Sequence, residues 1–161
     1  MIYTNVDQFP NKIDEITLFL DEHDIDVMAV CEVLPKSKNH CISSFVIEGY
    51  DCYSCLQGRG VCVFVKSKLN ITIIELDEFE CVFKPSVFIK IISTANKTSF
   101  TLGAIYRSPN CSSEESNDLN LQINKVAKQL FNSGEDFIIV GDFNYPEINW
   151  SNETCSEAAS H

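Results

Sequence analysis

The sequence predicts an α/β fold, a system of mixed β-sheets with helices on the outside, and three observations carry that reading. Short apolar runs of strand length recur between residues 25 and 140. Two segments flanking the central block of strands instead carry apolar residues at helical spacing. The resulting order is strand, helix, strand, a run of strands, helix, strand, which is neither strict alternation nor segregation. With 161 residues, 45% of them hydrophobic and 22% charged, the chain has the size and composition of one domain with its own core.

Each element has its own signal. Ile2 to Thr4 read as a short first strand ending at Asn5. In "NKIDEITLFLDEHDID", Ile13, Ile16, Phe19 and Leu20 fall at helical spacing, with Asn11 as the predicted N-cap. "IDVMAVCE" is a buried strand closed by Glu32, and the polar segment from Pro35 to Gly49 reads as loop. Val61 to Val65 and Ile71 to Leu76 are strands joined by a Lys-Ser-Lys turn. "SVFIKII" and "SFTLGAIY" pair through "STANKT" as a hairpin. "SPNCSSEESND" leads into a helix whose apolar face is Leu119, Ile123, Val126, Ala127 and Leu130, and which Gly134 stops. Phe137 to Val140 form the last strand, and "WSNETCSEAASH" is polar with no predicted structure. No internal repeat, low-complexity tract or linker interrupts this order.

Charge and cysteine usage narrow the function classes. A net charge of −11 disfavours a protein that grips nucleic acid over a broad surface and suits a metal site better. No apolar run has the length of a membrane span, so no membrane partner is expected. "MIYTNVDQFPNKIDE" lacks the basic and apolar regions of a signal peptide. Of eight cysteines, Cys31 and Cys62 lie in apolar strands, and Cys52 and Cys55 form a lone CxxC without a second pair. Five Asn-x-Ser/Thr sequons, at Asn70, Asn96, Asn110, Asn149 and Asn152, reflect an Asn- and Ser-rich composition. An intracellular location, cytoplasm or nucleus, follows.

Polar groups collect at the strand ends. Asn5 ends the first strand, Glu32 the second, Tyr106 and Arg107 follow "LGAI", and Asp142 and Asn144 follow "FIIV". Ligands bind outside strand ends in sheets covered by helices, so these four ends are a candidate oxygen-rich site. Carboxylates and amides without His or Cys suit a hard cation, Mg²⁺ or Mn²⁺. Asp142 is the candidate to orient or deprotonate a water, Asn144 to fix its geometry, and Tyr106 to donate to phosphoryl oxygens. Taken singly, Asp142 and Asn144 are ordinary turn residues, Tyr106 a half-buried aromatic and Glu32 a solvated strand-end charge.

"YTNVDQFPNKIDEI", "DIDVMAVCEVLPK", "GYDCYSCLQGRGVCVFVK", "LGAIYRSPN" and "FIIVGDFNYPEINW" occur in that order. Together they resemble the endonuclease domain of non-LTR (LINE-type) retrotransposons, a branch of the endonuclease/exonuclease/phosphatase superfamily. The resemblance implies an α+β sandwich, two mixed β-sheets packed face to face with outer helices, deoxyribonuclease-like and incomplete at both ends. It spans residues 1–152 as a partial domain, with 153–161 a polar tail. It implies that Glu32 and Asn5 serve the metal, that Asp142, Asn144 and Tyr106 are catalytic, and that Asn144, Tyr106 and Arg107 meet the substrate phosphate. Family enzymes of this branch nick one DNA strand by Mg²⁺-dependent hydrolysis and leave a 3′-hydroxyl that primes reverse transcription. DNA is therefore the implied partner, with a reverse transcriptase domain downstream.

The sequence also departs from the family pattern. "GRG", Gly58 to Gly60, stands where three glycines are usual, and the glutamate and tryptophan of the following strand are replaced in "KPSVFIKI". The family's terminal Ser-Asp-His is not found, and His161, not preceded by Ser-Asp, is given no role. The expectation is an impaired Mg²⁺-dependent DNA endonuclease. The alternatives are a phosphoesterase of the same superfamily acting on a small phosphate ester, and a non-enzymatic remnant or interaction fragment.

Overall fold

The computed structural model describes residues 1–35, 45–75, 84–146, 148–149 and 151–155. Leu76, His161 and the middle of the Pro35 to Gly49 loop lie outside the described residues.

Strand β1 (Ile2–Asn5) leads through a 3-10 turn (Phe9–Asn11) into helix α1 (Ile13–Glu22), then β2 (Val27–Cys31), β3 (Tyr50–Cys55) and β4 (Val61–Lys66). These four strands form one sheet in the order β1-β2-β4-β3, with β1 parallel to β2 and the other pairings antiparallel. The second sheet has the order β5-β6-β7-β8, from β5 (Ile71–Glu75), β6 (Ser86–Ser93), β7 (Ser99–Tyr106) and β8 (Asp136–Asp142). Here β7 and β8 are parallel, connected by helix α2 (Ser113–Ser133), because a parallel return needs a crossover. A two-residue ladder of β9 (Ile148–Asn149) with β10 (Thr154–Cys155) follows.

The layers follow from strand alternation. In β2, Val27, Ala29 and Cys31 face the second sheet and pack with Val61, Val63 and Val65 against Val87, Ile89, Leu102 and Ala104. Met28 and Val30 face the other way, where they join Leu20 of α1 and the stacked rings of Phe9 and Phe64, 5.2 Å apart. On the far side, Phe88 and Ile105 meet Val126 and Leu130 of α2. The result is a four-layer sandwich: helix, sheet, sheet, helix. Strands buried on both faces explain why "VMAVC" and "VCVFV" read as unbroken apolar runs.

Several sequence expectations are corrected. "YDCYSC" forms strand β3, hidden from a pattern reading because it is a polar, partly exposed edge strand. The strands on either side of the Lys-Ser-Lys turn are not a hairpin. β4 has both neighbours filled by β2 and β3, so the chain crosses to the other sheet, where β5 pairs with β6. Asn11 does not cap α1; its amide bonds Gln8, and Lys12 stands at the cap without a side-chain bond. Helix α2 starts earlier than its apolar face implies, at a capping box in which Ser112 and Glu115 bond each other's backbone N–H. The polar tail is not wholly structureless either, since Thr154–Cys155 pairs with β9.

Candidate active site

Two parallel strand pairs aim their ends at one another. In the β1–β2 register Asn5 lies opposite Cys31, which brings Glu32 beside it. In the β7–β8 register Tyr106 lies opposite Asp142. β1 and β8 face each other across the sandwich, so the ends of both pairs gather at one place. Asn5, Glu32, Tyr106 and Asp142 meet there.

The hydrogen bonds tie the two sheets together. Asn5 Nδ2 donates to Asp142 Oδ2 at 2.9 Å, and the Asn144 backbone N–H donates to Asp142 Oδ1 at 3.2 Å. Asn5 Oδ1 accepts the Asp7 N–H at 3.2 Å. One layer down, the Cys31 thiol donates to the Ile105 carbonyl at 3.3 Å, a second bond between the sheets. Burial pushes that thiol up to about 11 and raises the neighbouring Tyr3 hydroxyl as well, so both stay protonated at neutral pH.

Glu32 sits at φ +57°, a left-handed backbone that costs a side-chain-bearing residue on the order of 1–3 kcal/mol. The Gln8 N–H to Glu32 carbonyl bond at 3.0 Å and the Phe9 N–H to Val33 carbonyl bond at 3.1 Å hold it there. Its carboxylate Oε2 accepts from Arg59 Nη2 at 2.7 Å, and the same nitrogen donates to Asp7 Oδ1. The Tyr106 hydroxyl lies near Glu32 and feels its charge. Burial foremost, then the charge of Glu32, push Tyr106 up to about 12, which keeps it a donor.

Arg107 and Asn144 lock each other. The Asn144 amide donates to the Arg107 carbonyl at 2.7 Å, and Arg107 Nη1 donates to the Asn144 carbonyl at 2.5 Å. Arg107 Nη2 reaches Ser116 Oγ at 3.0 Å, and its guanidinium lies 4.2 Å from the centre of the Tyr145 ring. At 8% exposure, Arg107 is a clamp on the loop after β8. Asn144 at φ +47° suits the clamp, since Asn tolerates the left-handed region.

Two neighbours of the site escaped the sequence reading. Asp7 and Arg59 both contact the Glu32 cluster. A basic residue between two glycines at the start of a buried strand, "GRGV", was the available signal for Arg59.

The sequence profile of the endonuclease/exonuclease/phosphatase family matches residues 2–158. The chain belongs to that family. Among solved structures, the endonuclease domain of TRAS1, a telomere-specific non-LTR retrotransposon, superimposes with a TM-score of 0.65 at 17% identity. The match covers 89% of this chain and 58% of that one. The catalytic domain of Xenopus laevis APE2 matches with a TM-score of 0.57 at 17% identity, covering 89% and 57%. A mannosyl-6-phosphatase of Bacteroides thetaiotaomicron matches with a TM-score of 0.58 at 10% identity, covering 93% and 66%. Identities this low establish the fold, the two-sheet sandwich of the family, and the chain spans little more than half the length of the TRAS1 domain. No curated protein sequence matches the chain.

Family enzymes generally use divalent metal ions, and the donor set can be tested for one. Among the described residues no group of three or more His, Cys, Asp or Glu side chains is gathered to hold a metal. Glu32, Asp142 and the Asn5 amide nevertheless form an oxygen-only set with two carboxylates. That chemistry fits Mg²⁺, which takes one or two carboxylates and completes its shell with water and phosphate.

Proposed function

We propose that this chain is the phosphodiester-hydrolysing part of a non-LTR retrotransposon endonuclease, nicking one strand of DNA to prime reverse transcription. The observation that carries it is the Asn5–Asp142 bond, 2.9 Å across the sheets, with Glu32 and Tyr106 beside it. Asp142, held by two donors, orients a water and takes its proton as the water oxygen attacks phosphorus. The P–O3′ bond breaks and the leaving O3′ takes a proton from solvent, leaving the 3′-hydroxyl a polymerase needs. Tyr106, protonated across the working pH range, donates to the phosphoryl oxygens as negative charge builds on them. Glu32 and Asn5 would hold Mg²⁺ or Mn²⁺, which when bound neutralises a phosphoryl oxygen and stabilises the leaving alkoxide. Arg107 acts by clamping Asn144 rather than by meeting the phosphate. Cys31, Cys52, Cys55, Cys62 and Cys111 are free thiols, which supports a reducing, intracellular setting. The ordered motifs "CEVLPK" and "YRSPN" support the retrotransposon branch, with a reverse transcriptase as companion domain.

Incubation of supercoiled plasmid with the protein and Mg²⁺ tests this directly. Nicked circles should form with the wild type and not with Asp142→Ala. Equal absence of nicking in both would overturn the reading. The net charge of −11 favours a second reading, a phosphoesterase acting on a small phosphate ester, which would show Asp142-dependent release of phosphate from such esters without nicking.

A further inference from the structure

Arg59 is held in place more tightly than a loop residue requires. Gly58 and Gly60 on either side have φ of +55° and +73°, and the Gly60 N–H donates to the Gln57 carbonyl at 2.8 Å. The Arg59 carbonyl accepts the Leu34 N–H at 2.9 Å. A Cβ on Gly60 would come within 2.6 Å of Val33 Cγ2, so the turn packs against the segment that follows Glu32. The backbone thereby delivers the guanidinium onto Glu32, with side-chain exposures of only 15% and 18% for the pair. One nitrogen, Nη2, serves both Glu32 and Asp7, while Nε and Nη1 are buried without a hydrogen-bond partner among the described residues.

We propose that Arg59 is a built-in competitor of the divalent metal for Glu32: its guanidinium occupies the carboxylate until metal displaces it. This rests on the reading of Glu32 as a metal ligand. Two cations sharing one carboxylate repel each other in a partly desolvated site, so the guanidinium on Oε2 opposes metal binding at Glu32. A lowered metal affinity is the consequence of that exchange, and it raises the metal concentration at which activity sets in. Asp7, at 56% side-chain exposure, is the anion to which the displaced guanidinium can remain paired.

The test is Mn²⁺ binding by the full chain, read from the electron paramagnetic resonance signal of free Mn²⁺. Arg59→Gln, neutral and of similar length, should bind on the order of tenfold more tightly than wild type, the size of an ordinary coupling between sites. Arg59→Lys, which keeps the charge, should bind nearly as weakly as wild type. Adding Glu32→Gln to Arg59→Gln should abolish the gain. Unchanged or weaker binding by Arg59→Gln, with Glu32→Gln still reducing uptake, overturns the competition alone. No effect of Glu32→Gln in either background overturns the metal reading and the competition with it. In the wild type itself, saturating Mg²⁺ should shift the Arg59 Nε–H resonance, and an unmoved resonance also overturns the proposal.

Discussion

Asn5 Nδ2 donates to Asp142 Oδ2 across the boundary between the two sheets, joining residues 137 positions apart. Asp142 Oδ1 meanwhile receives the Asn144 N–H, so each oxygen of the carboxylate has a fixed donor. A carboxylate held at both oxygens presents its remaining lone pairs in one direction. That is a property of the pair, not of Asp142 alone.

Asn5→Ala should therefore lower phosphodiester hydrolysis on the order of ten- to a hundredfold, the usual cost of removing a partner that orients a functional carboxylate. Stability should change by no more than about 1 kcal/mol, since the bond is solvent-exposed. Plasmid nicking and urea melts read the two effects separately. A full-rate Asn5→Ala would remove the orienting role.

Arg107→Ala should be a stability variant first. It strips donors from the Phe143 and Asn144 carbonyls and from Ser116, and uncovers the Tyr145 ring. A loss of about 2–4 kcal/mol in urea denaturation is expected for breaking a buried, hydrogen-bonded cation site. Arg107→Lys should not restore it, because one ammonium cannot span Asn144, Ser116 and the ring. Full restoration by Lys would show that only the charge matters.

Alkaline pH should destabilise the fold with a definite sign. Unfolded Cys31 and Tyr106 lose their protons near their ordinary values of 9.0 and 10.0, while the folded forms hold them to about 11 and about 12. The unfolded state then binds fewer protons, so stability is level below about pH 9 and falls between about pH 9 and about pH 12. Cys62, pushed up by its hydrogen bond to Cys52 and then by burial, acts in the same sense. Melting temperature against pH should decline over that window, less steeply in Cys31→Ala. A rise in Tm between pH 9 and 11 would contradict it.

Gly141→Ala should disrupt the site through the backbone. A Cβ there would stand 2.0 Å from the Ile105 carbonyl oxygen, a ladder atom that cannot swing aside. The expected cost is about 3 kcal/mol, at the upper end for overpacking, together with loss of nicking. Circular dichroism melts check the first, and a wild-type Tm would show that β7 and β8 can separate freely.

The parts of this architecture that alternate or repeat were legible in the sequence, and the parts set by pairing were not. The apolar runs of β2, β4, β6 and β7 announced buried strands, while the equally apolar run of β8 is an edge strand with Ile138 exposed. The strand-end polar residues Asn5, Glu32, Tyr106 and Asp142 come together in the fold. Which sheet each strand joins is decided by ladders between distant segments, so the crossing between β4 and β5 left no local mark. β3 stayed hidden because its side chains are mostly polar at an edge. The bonds of Arg107 were not legible either, because a position in "YRSPN" says nothing about rotamer. Its guanidinium turns to carbonyls that only the folded loop assembles.

β1 and β8 each form an edge of their own sheet, and no backbone ladder joins them. The alignment of Asn5 with Asp142 is therefore set by the thickness of the side-chain layer between the sheets, with the Cys31-to-Ile105 bond as a spacer. The pair behaves as a caliper closed on the core. Swelling or thinning that layer by a methyl group at Ala104 or Val63 would open or tilt its jaws while every strand stays in register. In this molecule the chemistry should fail before the fold does.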